Sequence, residues 1–164
     1  MHLKKYWFEI RDIYAKELSF NQDGQIVGEI GKDIWAPHYL PESNKRYWSY
    51  SLVNLVQEGD IIFHYAKQTR SIVGYSTASS LSFNDKERWN SSEPVDVFKV
   101  KLKDYIPLKN PITYNELKEK SEKLRNFLIN NNHIKYAPFT KKGNNLVLES
   151  YLTKFPLGAI EILN

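Results

Sequence analysis

The pattern of apolar and polar positions predicts several short strands with helices inserted at irregular places. Alternation is strictest in VDVFKVKLKDY, where Lys99, Lys101 and Lys103 share one face and Phe98 and Val100 share the other. An alternating pattern of this kind is typical of a strand with one buried and one solvated face. It is the clearest strand in the chain.

Other strands follow from apolar runs bounded by turn residues. GDIIFHYAKQTRSIVGYSTASS, from Gly59 to Ser80, predicts two strands joined by the polar turn AKQTR. KKYWFEIR predicts a further strand, and NLVLESYLT with GAIEIL predicts a closing hairpin. Between these elements SFNDKERWNSSEP is expected to be a long polar loop, and loops of that length are often functional.

Two segments have helical spacing. From Ser43 onward the chain carries one apolar stripe, formed by Trp48, Leu52, Leu55 and Val56. NPITYNELKEKSEKLRNFLINNN predicts the longest helix, and Thr113 with Glu116 fits a capping box at its start. Strands with irregularly placed helices indicate an α+β fold with a strongly curved mixed or antiparallel sheet.

Composition favours one soluble, intracellular domain over residues 1–164, most simply in the cytoplasm. The chain has 164 residues, of which 41% are hydrophobic, and no cysteine. Absence of cysteine excludes a disulfide framework and thiolate chemistry. No apolar run approaches the length of a membrane span, so no membrane association is expected. A net charge of +4 permits a polyanionic partner.

Catalytic and metal-binding patterns are absent from the sequence. The histidines lie far apart, without the spacing of a zinc site, at His2, His38, His64 and His133. His64 falls inside an apolar strand and is expected to be a buried histidine with satisfied hydrogen bonds. We therefore predict a non-catalytic chain with no metal and no cofactor.

The order of several short segments resembles the EVE/YTH-like branch of the PUA superfamily. These segments are IW at 34–35, NKRYWSYSLVNLVQEGD, IIFHYAKQTRSIVGYSTAS, and DKERW leading into VDVFKVKLKDYIPLKNPI, with LESYLT near the end. Such domains stand at the N-terminus of modification-dependent restriction endonucleases of the McrB-like or HNH type. The resemblance implies a curved mixed sheet or small barrel flanked by helices.

The resemblance also implies a function, the recognition of a modified base in an aromatic cage. Trp35 in DIWAP matches the first cage tryptophan and Trp89 in DKERW matches the second, both in loop-like surroundings. Tyr50 and Tyr65 are candidates for a third wall. The expected ligand is duplex DNA with a flipped 5-methylcytosine or 5-hydroxymethylcytosine, and next N6-methyladenine. The nuclease or motor activity of such a phage-defence system is expected on a downstream region or partner subunit.

Physical requirements of base reading suggest further residues. Stacking tolerates every base, so edge hydrogen bonds must supply discrimination; the candidates for these are Ser76, Thr77, Ser79, Asn84 and Asp85. Phosphates require cations; the candidates are Lys67, Arg70, Lys86, Arg88, Lys99, Lys101 and Lys103.

Two alternatives remain open at this point. The chain could be an RNA-binding PUA-like module, which would prefer single-stranded RNA and its 2′-hydroxyl groups. It could also be a protein-interaction or small-ligand module, in which the tryptophans belong to the core.

Overall fold

The structure of this chain is a computed structural model, which describes residues 3–11, 18–20, 26–28, 30–39, 45, 48–88, 93–130, 140–142, 145–147, 151–155 and 157–163. The strands are β1 (Tyr6–Arg11), β2 (Leu18–Phe20), β3 (Ile26–Gly28), β4 (Asp33–Pro37), β5 (Ile61–Ala66), β6 (Ser71–Ala78), β7 (Phe83–Arg88), β8 (Pro94–Thr113), β9 (Thr140–Lys142), β10 (Asn145–Val147) and β11 (Leu152–Lys154). The helices are α1 (Trp48–Ser51), a 3₁₀ turn (Leu52–Leu55), α2 (Tyr114–Glu119), α3 (Ser121–Asn130) and α4 (Leu157–Leu163).

Seven strands form one mixed sheet in the order β11-β1-β5-β6-β8-β4, with β7 also paired to β8. β1 and β5 run parallel, and the other neighbours in this sheet are antiparallel. The sheet curls into a half-barrel of the PUA-like type, which confirms the predicted fold class. β2 pairs with β3, and β9 with β10, outside this sheet.

Strand β8 connects two parts of the curved sheet, because its two halves pair with different strands. Its first half pairs with β4 and β7, and its second half pairs with β6. Asp104 has a φ of 54° between the two halves. Next to it, Tyr105 lies so close to Gly31 and Gly74 that a Cβ on either glycine would come within 2.6 Å of the ring or its Cβ. Both glycines are therefore needed for the close approach at this bend.

The sheet buries a different apolar cluster on each face. Trp7 and Ile62 belong to the first cluster, which packs against the segment around the 3₁₀ turn. Phe8 alternates with Trp7 and belongs to the second cluster, together with Leu117 and Leu124 of the long helical segment. Trp7 is fully buried and is therefore a core residue.

The predicted first helix is only partly confirmed. α1 has four residues and continues as a 3₁₀ turn, whose period of three changes the buried stripe. Leu52, Val53 and Val56 are buried, but Leu55 is 49% exposed. The side chain of Trp48 lies outside the described residues.

The second helical prediction is right in its capping box and wrong in its start. Thr113 accepts a hydrogen bond from the Glu116 N–H, and the Glu116 carboxylate accepts one from the Thr113 N–H. Residues before this box, predicted as helix, extend β8 instead. The helix is also divided at Lys120 between α2 and α3.

Two other predictions are wrong. The segment expected to be a loop contains β7, whose polar side chains hid its pairing with β8. GAIEIL is the helix α4 rather than a strand, and its Ala159 and Leu163 are buried at helical spacing. The strand predictions for β1, β5, β6 and the alternating part of β8 are confirmed.

Candidate nucleic-acid interface

Trp35 lies in a strand, contrary to the loop expected for it. β4 pairs antiparallel with β8, and Trp35 stands directly opposite Lys99. On the other edge of β8, Phe83 of β7 also stands opposite Lys99. Directly opposed residues of antiparallel strands project to the same face. Trp35, Lys99 and Phe83 therefore form one row across three strands.

We call the surface around this row the Trp35 face, and its aromatic and charged members by register and alternation are Asp33, Trp35, Phe83, Asp85, Glu87, Lys99 and Lys101. The opposite face of β4 and β8 carries Ile34 and Val100 of the first core cluster. The backbones of Trp35 and Phe83 are two strand spacings apart, about 10 Å. This separation leaves room for a flat ring between two side chains that lean toward each other.

Lys99 lies at the centre of the Trp35 face and is 8% exposed. Its ammonium lies 2.9 Å from an Asp85 carboxylate oxygen and in shorter contact with Glu87. Burial lowers the pKa of Lys99, but the hydrogen bonds to Glu87 and Asp85 outweigh it and leave the pKa raised. The hydrogen bond from Lys99 likewise lowers the pKa of Asp85. We call Lys99, Asp85 and Glu87 the Lys99 cluster.

This pairing changes the interpretation of the predicted lysine ladder. Lys101 and Lys103 are exposed, and the Lys101 ammonium lies 5.8 Å from the centre of the Phe83 ring. Lys99 is mostly buried and held by two carboxylates, which argues against a contact with phosphate.

The remaining cation candidates lie in other places. Lys86 is 68% exposed and pairs with Asp96 at 3.0 Å. Lys67 and Arg70 are exposed in the turn before β6, at the opposite end of β8 from Lys99. They are therefore not part of the Trp35 face. The Arg88 side chain and Trp89 lie outside the described residues.

Of the edge-reading candidates, Asp85 belongs to the Trp35 face. Asn84 points to the other side of β7, where its amide oxygen lies 3.1 Å from His38 Nε2. Thr77 and Ser79 are half-buried. Ser76 is fully buried and hydrogen-bonded to His64. The structure thus does not bring these five side chains together.

The two tyrosines proposed as a third wall lie in different apolar clusters. Tyr50 belongs to the first cluster, with its ring 6.5 Å from that of Tyr151. Tyr65 belongs to the second cluster, with its ring 6.0 Å from that of Phe8. Both are core side chains, and a single cage cannot include both.

Strand β4 pairs with β8 along one edge, and side chains fill the gap between its other edge and strand β1. The Trp35 N–H donates to the Tyr151 hydroxyl at 3.1 Å, and this hydroxyl donates to Glu9 at 2.6 Å. Arg11 donates to the Asp33 carbonyl at 2.5 Å and to Glu9 at 3.1 Å. Exposed backbone groups of an edge strand usually need such cover. We call Glu9, Arg11, His64, Ser76 and Tyr151 the seam cluster.

The seam cluster extends inward through His64, whose prediction as a buried, satisfied histidine is confirmed. Its Nδ1 lies 2.6 Å from Glu9 and its Nε2 lies 2.5 Å from Ser76 Oγ. Burial raises the pKa of Glu9, but Arg11, His64 and Tyr151 outweigh it and lower that pKa to about 2. The order serine, histidine, carboxylate is that of a hydrolase triad. All three side chains are fully buried, which leaves a substrate no access to Ser76.

Sequence reasoning missed Phe83, Glu87, Arg11 and Tyr151. A strand over FNDKER would place Phe83, Asp85 and Glu87 on one face, but five of its six side chains are polar and give no strand signal. Arg11 and Tyr151 come from distant segments and carry no local signal.

The part of the chain that the structure describes contains neither a group of metal ligands nor a membrane-spanning helix. No group of histidine, cysteine or carboxylate side chains there has the arrangement of a metal site. None of the helices described combines the length and apolarity needed to cross a bilayer.

Comparison with known proteins places the chain by its fold. No protein-family model and no curated protein matches it. Protein Atu2648 from Agrobacterium tumefaciens has 15% identity and a TM-score of 0.52, over 97% of this chain and 90% of that chain. At this identity the likeness shows a shared fold, the curved mixed half-barrel sheet described above.

Two further solved structures match at lower TM-scores. The N-terminal domain of Staphylothermus marinus McrB has 17% identity and a TM-score of 0.49, over 99% of this chain and 94% of that chain. Human THYN1, in complex with DNA containing 5-methylcytosine, has 13% identity and a TM-score of 0.48, over 98% and 95%.

Proposed function

We propose that this chain is a non-catalytic DNA-binding domain that recognises a modified base in duplex DNA. The base leaves the stack and enters the space on the Trp35 face, with the Trp35 indole as one wall. Following the sequence resemblance, 5-methylcytosine or its hydroxymethyl form is the preferred ligand, ahead of N6-methyladenine. Trp89 remains a proposed second wall.

The observation that carries this proposal is the row of Trp35, Lys99 and Phe83 on one sheet face. A protein that encloses a base in a pocket must first extrude it from the stack, at a cost of a few kcal/mol. Stacking on aromatic side chains recovers roughly 1–3 kcal/mol per base. Two aromatic residues on either side of one strand supply that stacking from rigid elements, which suits a recognition site better than loops do.

Exposed cations around this face support the choice of a nucleic acid. Lys101 and Lys103 follow Lys99 along β8 and are exposed, whereas Lys86 lies on the other face of the neighbouring strand, where it pairs with Asp96. Contacts with phosphate position a protein on DNA without reading its sequence. We assign these three lysines, and the more distant Lys67 and Arg70, to the phosphate set, and Arg88 is proposed with them. Lys99 does not belong to the phosphate set, because Asp85 and Glu87 hold its ammonium.

The proposed biological setting is a modification-dependent restriction system in phage defence. In that setting this domain supplies specificity, and a nuclease or motor on a further domain or partner subunit supplies activity. This part of the proposal follows from the resemblance of the sequence to restriction-associated domains.

A binding panel at one fixed salt concentration tests the proposal. It compares duplexes that differ in one base, namely cytosine, 5-methylcytosine, 5-hydroxymethylcytosine, adenine and N6-methyladenine, with a matched single-stranded RNA. We expect preference for one modified duplex, with affinity that falls as salt rises. Equal affinity for all duplexes would mean that a basic surface binds DNA without recognising a modified base. Preference for the RNA would contradict the proposal.

A further inference from the structure

We infer that the Lys99 cluster reads the Watson–Crick edge of the extruded base and selects bases that place an amine beside an unprotonated ring nitrogen on that edge. The inference rests on the proposed function and adds a chemical class of ligand to it. Cytosine and adenine derivatives belong to this class, whereas thymine, uracil and guanine do not.

The Lys99 cluster lies between the two aromatic residues of the Trp35 face. Lys99 stands between Trp35 and Phe83 in the middle strand of three. A base stacked between those two rings presents an edge toward the sheet, and Lys99 is the side chain at that place. Asp85 and Glu87 come from the same strand as Phe83 and reach the Lys99 ammonium from one side.

The Lys99 cluster contains both hydrogen-bond donors and hydrogen-bond acceptors. An ammonium group has three donors, and Glu87 and Asp85 occupy two of those of Lys99 among the contacts described. The two carboxylates have about four acceptor sites each. Asp85 is 45% exposed and Glu87 33%, so ligand atoms can approach both. The cluster thus offers a donor beside an acceptor.

The complementary edge is that of an aminated base. Cytosine and adenine each place an amine donor next to a ring-nitrogen acceptor, which matches a carboxylate beside an ammonium. In the same orientation, thymine and guanine place a carbonyl oxygen at the position of that amine, and the amine of guanine adjoins a protonated ring nitrogen instead. Against a carboxylate this oxygen is repelled, and buried polar groups on both sides are left unpaired. A paired contact of this type discriminates by about tenfold or more.

Burial of Lys99 supports a role beyond phosphate contact. Phosphate-binding lysines are ordinarily exposed, as Lys101 and Lys103 are here. A mostly buried ammonium with two fixed partners is instead preorganised, which is the requirement for reading a base edge.

The test compares 5-methylcytosine with thymine, because these two bases share the 5-methyl group and differ at the amine edge. Each is placed opposite an abasic site in the same duplex, so that extrusion costs are similar, and unmodified cytosine is the third ligand. Affinities are measured by fluorescence anisotropy for the wild-type protein and for Lys99→Met, Glu87→Gln and Lys101→Met.

We expect the wild-type protein to prefer 5-methylcytosine over thymine by about tenfold or more. Lys99→Met and Glu87→Gln should bring that ratio to within about threefold of unity. Lys101→Met, which removes the same charge from the same face, should weaken both ligands and keep the ratio. If Lys99→Met fails to fold in a thermal melt, Glu87→Gln, which keeps the shape of the side chain, decides the test.

The outcomes separate this inference from the proposed function. A wild-type protein that prefers 5-methylcytosine to cytosine but binds thymine equally well overturns the inference alone. An unchanged ratio in both cluster variants does the same. A wild-type protein that binds none of the duplexes overturns the proposed function together with the inference.

Discussion

The seam cluster and the Lys99 cluster are two groups of buried charge that differ in what surrounds them. In the seam cluster, Glu9 receives hydrogen bonds from Arg11, His64 and Tyr151, and it is fully buried. In the Lys99 cluster the ammonium is buried, but the carboxylates of Asp85 and Glu87 are 45% and 33% exposed. The Glu9 carboxylate is thus enclosed by protein, whereas the two carboxylates of the Lys99 cluster are open to solvent.

This difference indicates two uses of buried charge. Removing one partner from a closed network leaves an unpaired ion in a medium of low dielectric constant, so the seam cluster should contribute mainly to stability. The open cluster is screened by water and stabilises less. Its neighbours are the two aromatic residues of the Trp35 face, and its contribution should be to specificity.

The largest expected effect comes from Glu9→Leu. This change removes the carboxylate shared by the fully buried His64 and the partly exposed Arg11, and we expect a loss of about 3–5 kcal/mol in the free energy of unfolding. Urea denaturation measures the loss. The same substitution at exposed Glu119 is the control and should change stability by about 0.5 kcal/mol or less. Similar losses at both positions would break the distinction between closed and exposed charge.

The pH dependence of stability gives a second, somewhat smaller effect. The pKa of Glu9 is lowered from 4.5 to about 2 in the folded state. Its contribution is therefore complete above about pH 4.5 and is lost as the pH falls toward 2, amounting to about 3 kcal/mol. Glu9→Gln should lack this part of the acid loss when both proteins are denatured at a series of pH values. Parallel acid profiles would contradict the assignment of the lowered pKa.

Tyr151→Phe should have an intermediate effect. It removes the hydroxyl that caps the Trp35 N–H and donates to Glu9, and it keeps the ring that packs against Tyr50. We expect a loss of about 2 kcal/mol in the free energy of unfolding, because two buried polar groups each lose a partner. Amide hydrogen exchange at Trp35 should accelerate by more than the global change accounts for. Unchanged protection there would show that the seam is closed by other contacts.

The smallest expected effect on stability is that of Lys99→Met. Exposure of both carboxylate partners limits the loss to about 1 kcal/mol, and the apolar part of the side chain is retained. Chemical denaturation alongside Glu9→Leu makes the comparison direct. A loss as large as that of Glu9→Leu would mean that the Lys99 cluster is also a structural network.

Much of the fold could be predicted from the sequence because its strongest signals are local. β5, β6 and the alternating part of β8 have apolar runs or strict alternation, and the capping box at Thr113 marks a helix start without any knowledge of tertiary contacts. β7 lacked such a signal, since five of its six side chains are polar. α4 was misread because a short apolar segment fits either period.

The candidate site could be predicted only in part. Trp35 was found through the resemblance, and Asp85 through its place near Trp89 in the sequence. The Lys99 cluster depends on the register of β7 on β8, which sequence alone does not give. The seam cluster unites residues from positions 9, 11, 64, 76 and 151, and only the closing of the half-barrel brings them together.

The measurement that tests the central claim most directly is the affinity of Trp35→Ala for duplexes that differ only in cytosine or 5-methylcytosine. We predict that the variant still unfolds cooperatively and binds both duplexes, but without preference for the methylated one. Tyr39→Ala, at an exposed aromatic residue beyond the end of β4, should keep the preference. A folded Trp35→Ala protein that still prefers 5-methylcytosine as strongly as the wild type would contradict the account.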